Sequence, residues 1–234
     1  TGGVLRSTDG GHTWHKTNRG LDSEFVPTIA LSPGFEADGT VFGGTSGDGV
    51  LRSTDRGDSW RQSNQGLATA NVEALAVSPS FATDRTLLAG TFNNGLYRST
   101  DGGDSWQPVN EGLTNSSVLA VALSPGFRAD STAFVGLRGG GVHISFGGGK
   151  FRFPDGGIFR TDDGGDTWTQ VNPSVGSRSV LALTVSPAYD TDRTVFAGIA
   201  DGGLLRSTDG GDTWQQVAEL PDAASVRAIS LSDG

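Results

Sequence analysis

The sequence predicts an all-β repeat protein built from four-stranded antiparallel blades, and three observations carry that reading. An octet of pattern Ser/Thr-x-Asp-x-Gly-x-Ser/Thr-Trp begins at Ser7, Ser53, Ser99, Thr161 and Ser207, and its last letter accounts for all five tryptophans of the chain. Successive octets are offset by 46, 46, 62 and 46 residues, and a unit of 46 has the length of four short strands with their turns. Glycine is abundant, at 37 of 234 residues, without a collagen period, so the glycines read as turn residues.

The octet has its own physical logic. Gly11, Gly57, Gly103, Gly165 and Gly211 stand where a tight turn needs positive φ. Two residues earlier, Asp9, Asp55, Asp101, Asp163 and Asp209 are placed to accept backbone N–H groups ahead of them, an Asx-type lock on the turn. Trp14, Trp60, Trp106, Trp168 and Trp214 then begin the outgoing strand, where a ring burying roughly 200 Å² covers the turn and its N–H finds a partner. The role assigned to these ten residues is structural.

The pattern resembles the Asp-box, or bacterial neuraminidase repeat. Families that carry it fold as β-propellers, with the box at the turn between the third and fourth strands of each blade. They include sialidases, xyloglucan-degrading glycosidases, sortilin-type receptors and photosystem II assembly factors. Five boxes extend the resemblance over essentially the whole chain, and it implies a β-propeller represented here by five blades. It implies a fold and not a reaction, because the scaffold carries enzymes and binders alike.

The elements follow in order within each unit. First strands are expected at 26–31, 72–77, 118–123, 180–185 and 226–231, nearly continuous apolar runs that suit strands covered on both faces. Ser-Pro or its equivalent and a loop ending in Asp38, Asp84, Asp130 or Asp192 lead to second strands such as 40–45 and 194–199. Gly47-Asp48-Gly49, Asn93-Asn94-Gly95 and Asp201-Gly202-Gly203 are hairpin signals before the third strands at 50–53, 96–99, 158–161 and 204–207, with 4–7 belonging among them. Arg6, Arg52, Arg98, Arg160 and Arg206 recur just before the octet, and a group repeated once per blade is expected to pack over a neighbour or pair with a loop Asp.

The register places Thr1 opposite Asp201 and Gly234 opposite Ala188, so the equivalents of residues 189–200 have no counterpart between the two ends. Residues 1–234 are therefore expected to form a single propeller domain with a split blade, 1–20 plus 225–234, and blades at about 25–66, 71–112, 117–173 and 179–220. The register favours a stretch of a longer propeller. The alternative is a five-bladed ring whose slot, about two strand spacings or ~9.6 Å, is filled by a strand from a partner.

One segment departs from the repeat. Between Leu137 and Gly157 the fourth unit carries an inserted hairpin, residues 138–156, with Gly147-Gly148-Gly149 at its tip. His143, Phe146, Lys150, Phe151, Arg152 and Phe153 are the candidate partner contacts, since turns between second and third strands open on the face opposite the boxes, where propellers usually bind ligands. Phe151-Arg152-Phe153-Pro154 is similar to a sialidase Phe/Tyr-Arg-Ile-Pro motif, but it follows three boxes here and precedes the first one in that family.

Composition removes several classes. A net charge of −9, with lysine only at positions 16 and 150, argues against a phosphate-tracking surface, so no nucleic acid partner is expected. Cysteine is absent, the histidines are His12, His15 and His143 alone, and no metal site or cofactor is predicted. No apolar run is long enough to span a membrane, and the Gly-Gly runs precede no helix that would hold phosphate. A glycosidase needs two carboxylates across a cleft. The acids outside the repeat pattern on the ligand face are Asp48, Asp155, Asp201 and Glu73, too few to assign roles, so no catalytic residue is named. The reading is a non-catalytic scaffold or recognition module for a protein or carbohydrate partner, extracellular, cell-surface or periplasmic as most Asp-box proteins are. The alternative is a glycoside hydrolase of the sialidase or endoglucanase type, or a fragment of one.

Overall fold

Short apolar runs separated by Gly- and Asp-rich turns favour antiparallel meanders, and the chain forms four of them. The computed structural model describes residues 2–139, 142–144, 150–152, 156–172, 178–217 and 225–231. Contacts gather into two units, Thr1–Pro108 and Val109–Gly234.

In the first unit a hairpin of β1 (Leu5–Arg6) and β2 (His15–Lys16) precedes two sheets. One is β3 (Thr28–Leu31), β4 (Val41–Gly44), β5 (Val50–Ser53) and β6 (Arg61–Gln62); the next is β7 (Val72–Val77), β8 (Leu87–Thr91), β9 (Leu96–Ser99) and β10 (Gln107–Pro108). The second unit holds β11 (Val118–Leu123) and β12 (Ala133–Leu137), then the separate two-stranded sheet β13 (Val142–Ile144) and β14 (Lys150–Arg152). β15 (Gly157–Thr161) and β16 (Thr169–Gln170) complete the sheet that β11 and β12 begin. Its last sheet is β17 (Val180–Val185), β18 (Val195–Ile199), β19 (Gly203–Ser207) and β20 (Gln215–Gln216). Each four-stranded sheet runs in sequence order, as a blade of a β-propeller does.

Second strands are the driest. Every residue of β4, β8 and β12 is buried, whereas the fourth strands are exposed throughout. The glycine of the second strand has a packing reason: a Cβ on Gly44 would sit 3.0 Å from Val72 O, and one on Gly136 would sit 3.2 Å from Val180 O. Only a bare Cα lets the next blade's first strand approach that closely.

The loop between first and second strands is not irregular, as expected from sequence, but holds a single helical turn: α1 (Phe35–Asp38), α2 (Phe81–Asp84), α3 (Phe127–Asp130) and α4 (Tyr189–Asp192). Four residues are too few to show a helical period. The recurring Ser and Asp explain the turn, since Ser32 Oγ donates to Asp38 at 2.6 Å and Ser186 Oγ to Asp192 at 2.6 Å, closing the loop on itself. Residues 225–231, expected as a first strand, form none. Val226 O nevertheless lies against Gly198 as Val180 O lies against Gly136, and Ser225 Oγ accepts Asp201 N at 3.0 Å.

Tryptophan reaches further than its own turn. Trp60 Nε1 donates to Thr17 O at 2.8 Å, Trp106 Nε1 to Ser63 O at 2.7 Å and Trp168 Nε1 to Val109 O at 3.0 Å, and all three rings are buried. Trp14 and Trp214 instead donate to Gly11 O and Gly211 O of their own octets, and Trp14 is 60% exposed. Trp106→Ala, which removes a buried ring and strands Ser63 O, should destabilise the protein by about 3–5 kcal/mol. Trp14→Ala should cost about 1 kcal/mol or less. Urea unfolding of the two variants checks both, and equal losses would contradict the difference in packing.

Candidate functional site

The box residues form five copies of one hydrogen-bonded turn. Ser99 Oγ donates to Asp101 Oδ1 at 2.7 Å and accepts Gly103 N at 2.8 Å, while Asp101 also takes Ser105 N on Oδ1 at 2.9 Å and Ser105 Oγ on Oδ2 at 2.5 Å. The same bonds recur around Asp9, Asp55, Asp163 and Asp209. The octet glycine is left-handed in each copy, with φ between 88° and 102°. The leading Ser or Thr, which sequence reading left without a role, is thus as central as the Asp.

These bonds stabilise the charged carboxylate. For Asp9, Asp55 and Asp209 the largest influence is the hydroxyl of Thr13, Ser59 or Thr213, and the pKa falls to about 2. Burial pushes Asp101 upward, but the Ser105 and Ser99 bonds outweigh it and bring the group to about 2; Asp163 is lowered against burial in the same way. Because these folded-state values lie below the ordinary 3.8, the stabilisation is present above pH 3.8 and is lost as pH falls through about 2. Melting temperature should therefore decline between pH 4 and 2, and Asp101→Asn should flatten part of that slope; a slope unchanged in the variant would contradict the lock.

Three of the recurring arginines bind the following octet, while Arg206 lies over the Phe196 ring at 5.7 Å. Arg6 Nη2 meets Asp58 at 2.6 Å, Arg52 Nη1 meets Asp104 at 3.0 Å and Arg160 Nη1 meets Asp212 at 2.7 Å. Each arginine also donates to a carbonyl of that octet: Arg56 O, Gly102 O or Gly210 O. The pairs are partly exposed, so their value is in orientation more than in energy.

The inserted arm pairs through its backbone, Val142 with Arg152, His143 with Phe151 and Ile144 with Lys150. The side chains of His143, Lys150, Phe151 and Arg152 lie outside the description, as do residues Phe146 and Phe153 altogether. Of the acids outside the repeat, Asp48 is committed to the segment before β3: it is buried and accepts Ser23 N at 2.5 Å and Asp22 N at 3.2 Å. Asp201 N and Oδ1 both bond Ser225 Oγ. Asp155 lies outside the described residues. Among the described residues no three His, Asp or Glu side chains stand together as a metal site, and no helix is long and apolar enough to cross a membrane.

An apolar groove of about 550 Å³ in the first unit lies between β1 and the blade that begins with β3, with Leu5, Trp14, Ile29, Leu31, Phe35 and Trp60 among its walls. Leu5, Ile29 and Leu31 are 52%, 45% and 51% exposed, although Leu51 and Leu75, one repeat on from the first two, are buried.

Comparison with known proteins agrees with the propeller. The family model described as sortilin, neurotensin receptor 3, matches residues 2–134. No curated protein gives a significant match. Among solved structures, an ancestral GH74 enzyme is 25% identical with a TM-score of 0.65, over 85% of this chain and 25% of that one. YCF48 bound to D1 peptide is 23% identical with a TM-score of 0.58, over 92% of this chain and 61% of that one. The extracellular domain of a hybrid two-component system from B. thetaiotaomicron is 15% identical with a TM-score of 0.62, over 88% of this chain and 26% of that one. The chain thus spans about a quarter of the GH74 enzyme and less than two thirds of the others. With the five boxes locked as propeller turns and more than half of its length matched by that one family model, the chain belongs to the Sortilin-Vps10 family.

Proposed function

We propose that this chain is a non-catalytic, extracytoplasmic recognition module that binds a protein partner, with the 138–156 hairpin as a contact arm. One observation carries the reading. Every carboxylate among the described residues whose ionisation is displaced is displaced downward, and each is held by hydroxyl and backbone bonds inside a turn. A glycosidase acid has the opposite property, a pKa raised so that it carries a proton to the leaving oxygen. The arm supports a binding role because it is the one segment that the repeat does not require. YCF48, a propeller of similar fold, is bound to a peptide, and the B. thetaiotaomicron neighbour is extracellular. Glycan binding and hydrolysis remain the competing reading, favoured by the GH74 likeness.

The test has two arms. Incubated with xyloglucan, the protein should release no reducing ends, and sustained release would overturn the non-catalytic reading. Screened against a displayed peptide library, the parent should enrich ligands that a form lacking 138–156 does not hold, with Leu137 rejoined to Gly157 through a short turn. Phe151→Ser with Phe153→Ser provides the same loss if the deletion does not fold. Equal binding by parent and variants would remove the arm from the interface.

A further inference from the structure

One recurring arginine lacks a bond that its counterpart has. Arg52 in the first unit and Arg160 in the second hold the following octet alike. Nη1 of Arg52 donates to Gly102 O at 3.1 Å and to Asp104 at 3.0 Å, and Nη1 of Arg160 donates to Gly210 O at 2.9 Å and to Asp212 at 2.7 Å. They differ at Nε. Arg160 Nε donates to Asp162 Oδ2 at 3.2 Å, a carboxylate two residues along the chain. The residue in that place after Arg52 is Thr54, and Arg52 Nε is buried without an acceptor. Leaving a buried donor of a charged group unpaired carries its full desolvation cost, so an acceptor from outside is strongly favoured there.

Charge around Arg52 is unbalanced in the same sense. In the ladder of β5 and β6 it stands opposite Arg61, whereas Arg98, Arg160 and Arg206 stand opposite Gln107, Thr169 and Gln215. Directly opposed residues share a face of the sheet, and like charges there repel. Arg85 approaches from the end of α2, with Nη2 on Asp101 O at 3.2 Å and its guanidinium 5.6 Å over the Phe81 ring. Burial first, then Arg61 and Arg85, lower the Arg52 pKa, with Asp104 opposing them. Around Arg160, against burial, the Asp212 bond and the Asp162 charge raise it. Asp38, whose charge also reaches Arg52, is taken by Ser32 Oγ and Thr40 N. Among the described residues no salt bridge reaches Arg61, so Asp104 is the one acid paired with this group of arginines.

We propose that Arg52 and Arg61 form a carboxylate-binding site, which takes from a ligand the group that Asp162 supplies to Arg160 within the chain. One oxygen of the ligand accepts Arg52 Nε–H and the other meets the Arg61 guanidinium, while Arg85 adds positive charge. A planar carboxylate spans two guanidinium groups in this way, and a spherical anion such as chloride does not. Thr54 and Arg61 are both exposed, so the ligand enters by a turn of the Arg61 side chain that breaks no salt bridge. The site uses residues of the first unit alone and is independent of the 138–156 arm. Two sources offer the group, a free small acid and an acidic side chain of a bound polypeptide, and the test separates them.

Sodium acetate is the first probe, compared with sodium chloride at equal ionic strength and followed at the arginine Nε–H signals of the isotope-labelled full chain. The Arg52 signal should shift saturably, with half-saturation on the order of 10 mM acetate. At tenfold that concentration the melting temperature should stand about 2 °C or more above the chloride control. Thr54→Asp, which places the missing carboxylate in the chain, should raise the melting temperature in chloride and abolish the acetate response. Asp162→Thr should pass a weaker acetate response to Arg160 Nε–H. A capped Ala-Ala-Glu-Ala-Ala peptide that binds about tenfold more tightly than acetate identifies a polypeptide side chain as the source, and equal affinity identifies a small acid. Identical responses of Arg52 Nε–H to acetate and chloride would overturn the proposal, as would a Thr54→Asp variant that binds acetate like the parent.

Discussion

In every repeat a carboxylate holds the turn from which the tryptophan departs. The octet Asp takes the Ser/Thr N–H and hydroxyl at its end, the leading Ser or Thr takes the glycine N–H, and the left-handed glycine reverses the chain. Trp106 leaves this turn buried, with its indole N–H on Ser63 O just beyond β6. Losing that ring would cost the two sheets of the first unit a buried aromatic and a hydrogen bond together. The second-strand glycine complements this contact by letting the next first strand come within reach.

Repetition divides structural from functional positions. A carboxylate or arginine that returns in each blade answers a need of each blade: the five octet aspartates hold their own turns, and Arg6, Arg52 and Arg160 are committed to the following octet. Among the described residues two features depart from the repeat: the arm whose backbone pairs over Val142–Ile144 and Lys150–Arg152, and the apolar groove against β1.

Sequence and tertiary structure contributed different parts of this description. The octet turns and the positive φ of their glycine were legible because the bonds that make them join residues two to four apart, and the strands of the four sheets were legible through apolar runs returning with the 46-residue period. The Arg partners were legible in type, as a loop Asp, through the period alone. Illegible were the single helical turns, too short to show a period, and the bearing of the indoles. Trp60 and Trp14 share one motif, yet one is buried on Thr17 and the other stands exposed over Gly11. The exposure of Leu5, Ile29 and Leu31 was equally hidden, because they read as ordinary strand residues of an apolar run. Local hydrogen bonds are set by neighbours in the chain, whereas burial depends on which surface, some 40 residues away, arrives to cover a side chain; that arrival is decided only in the folded molecule.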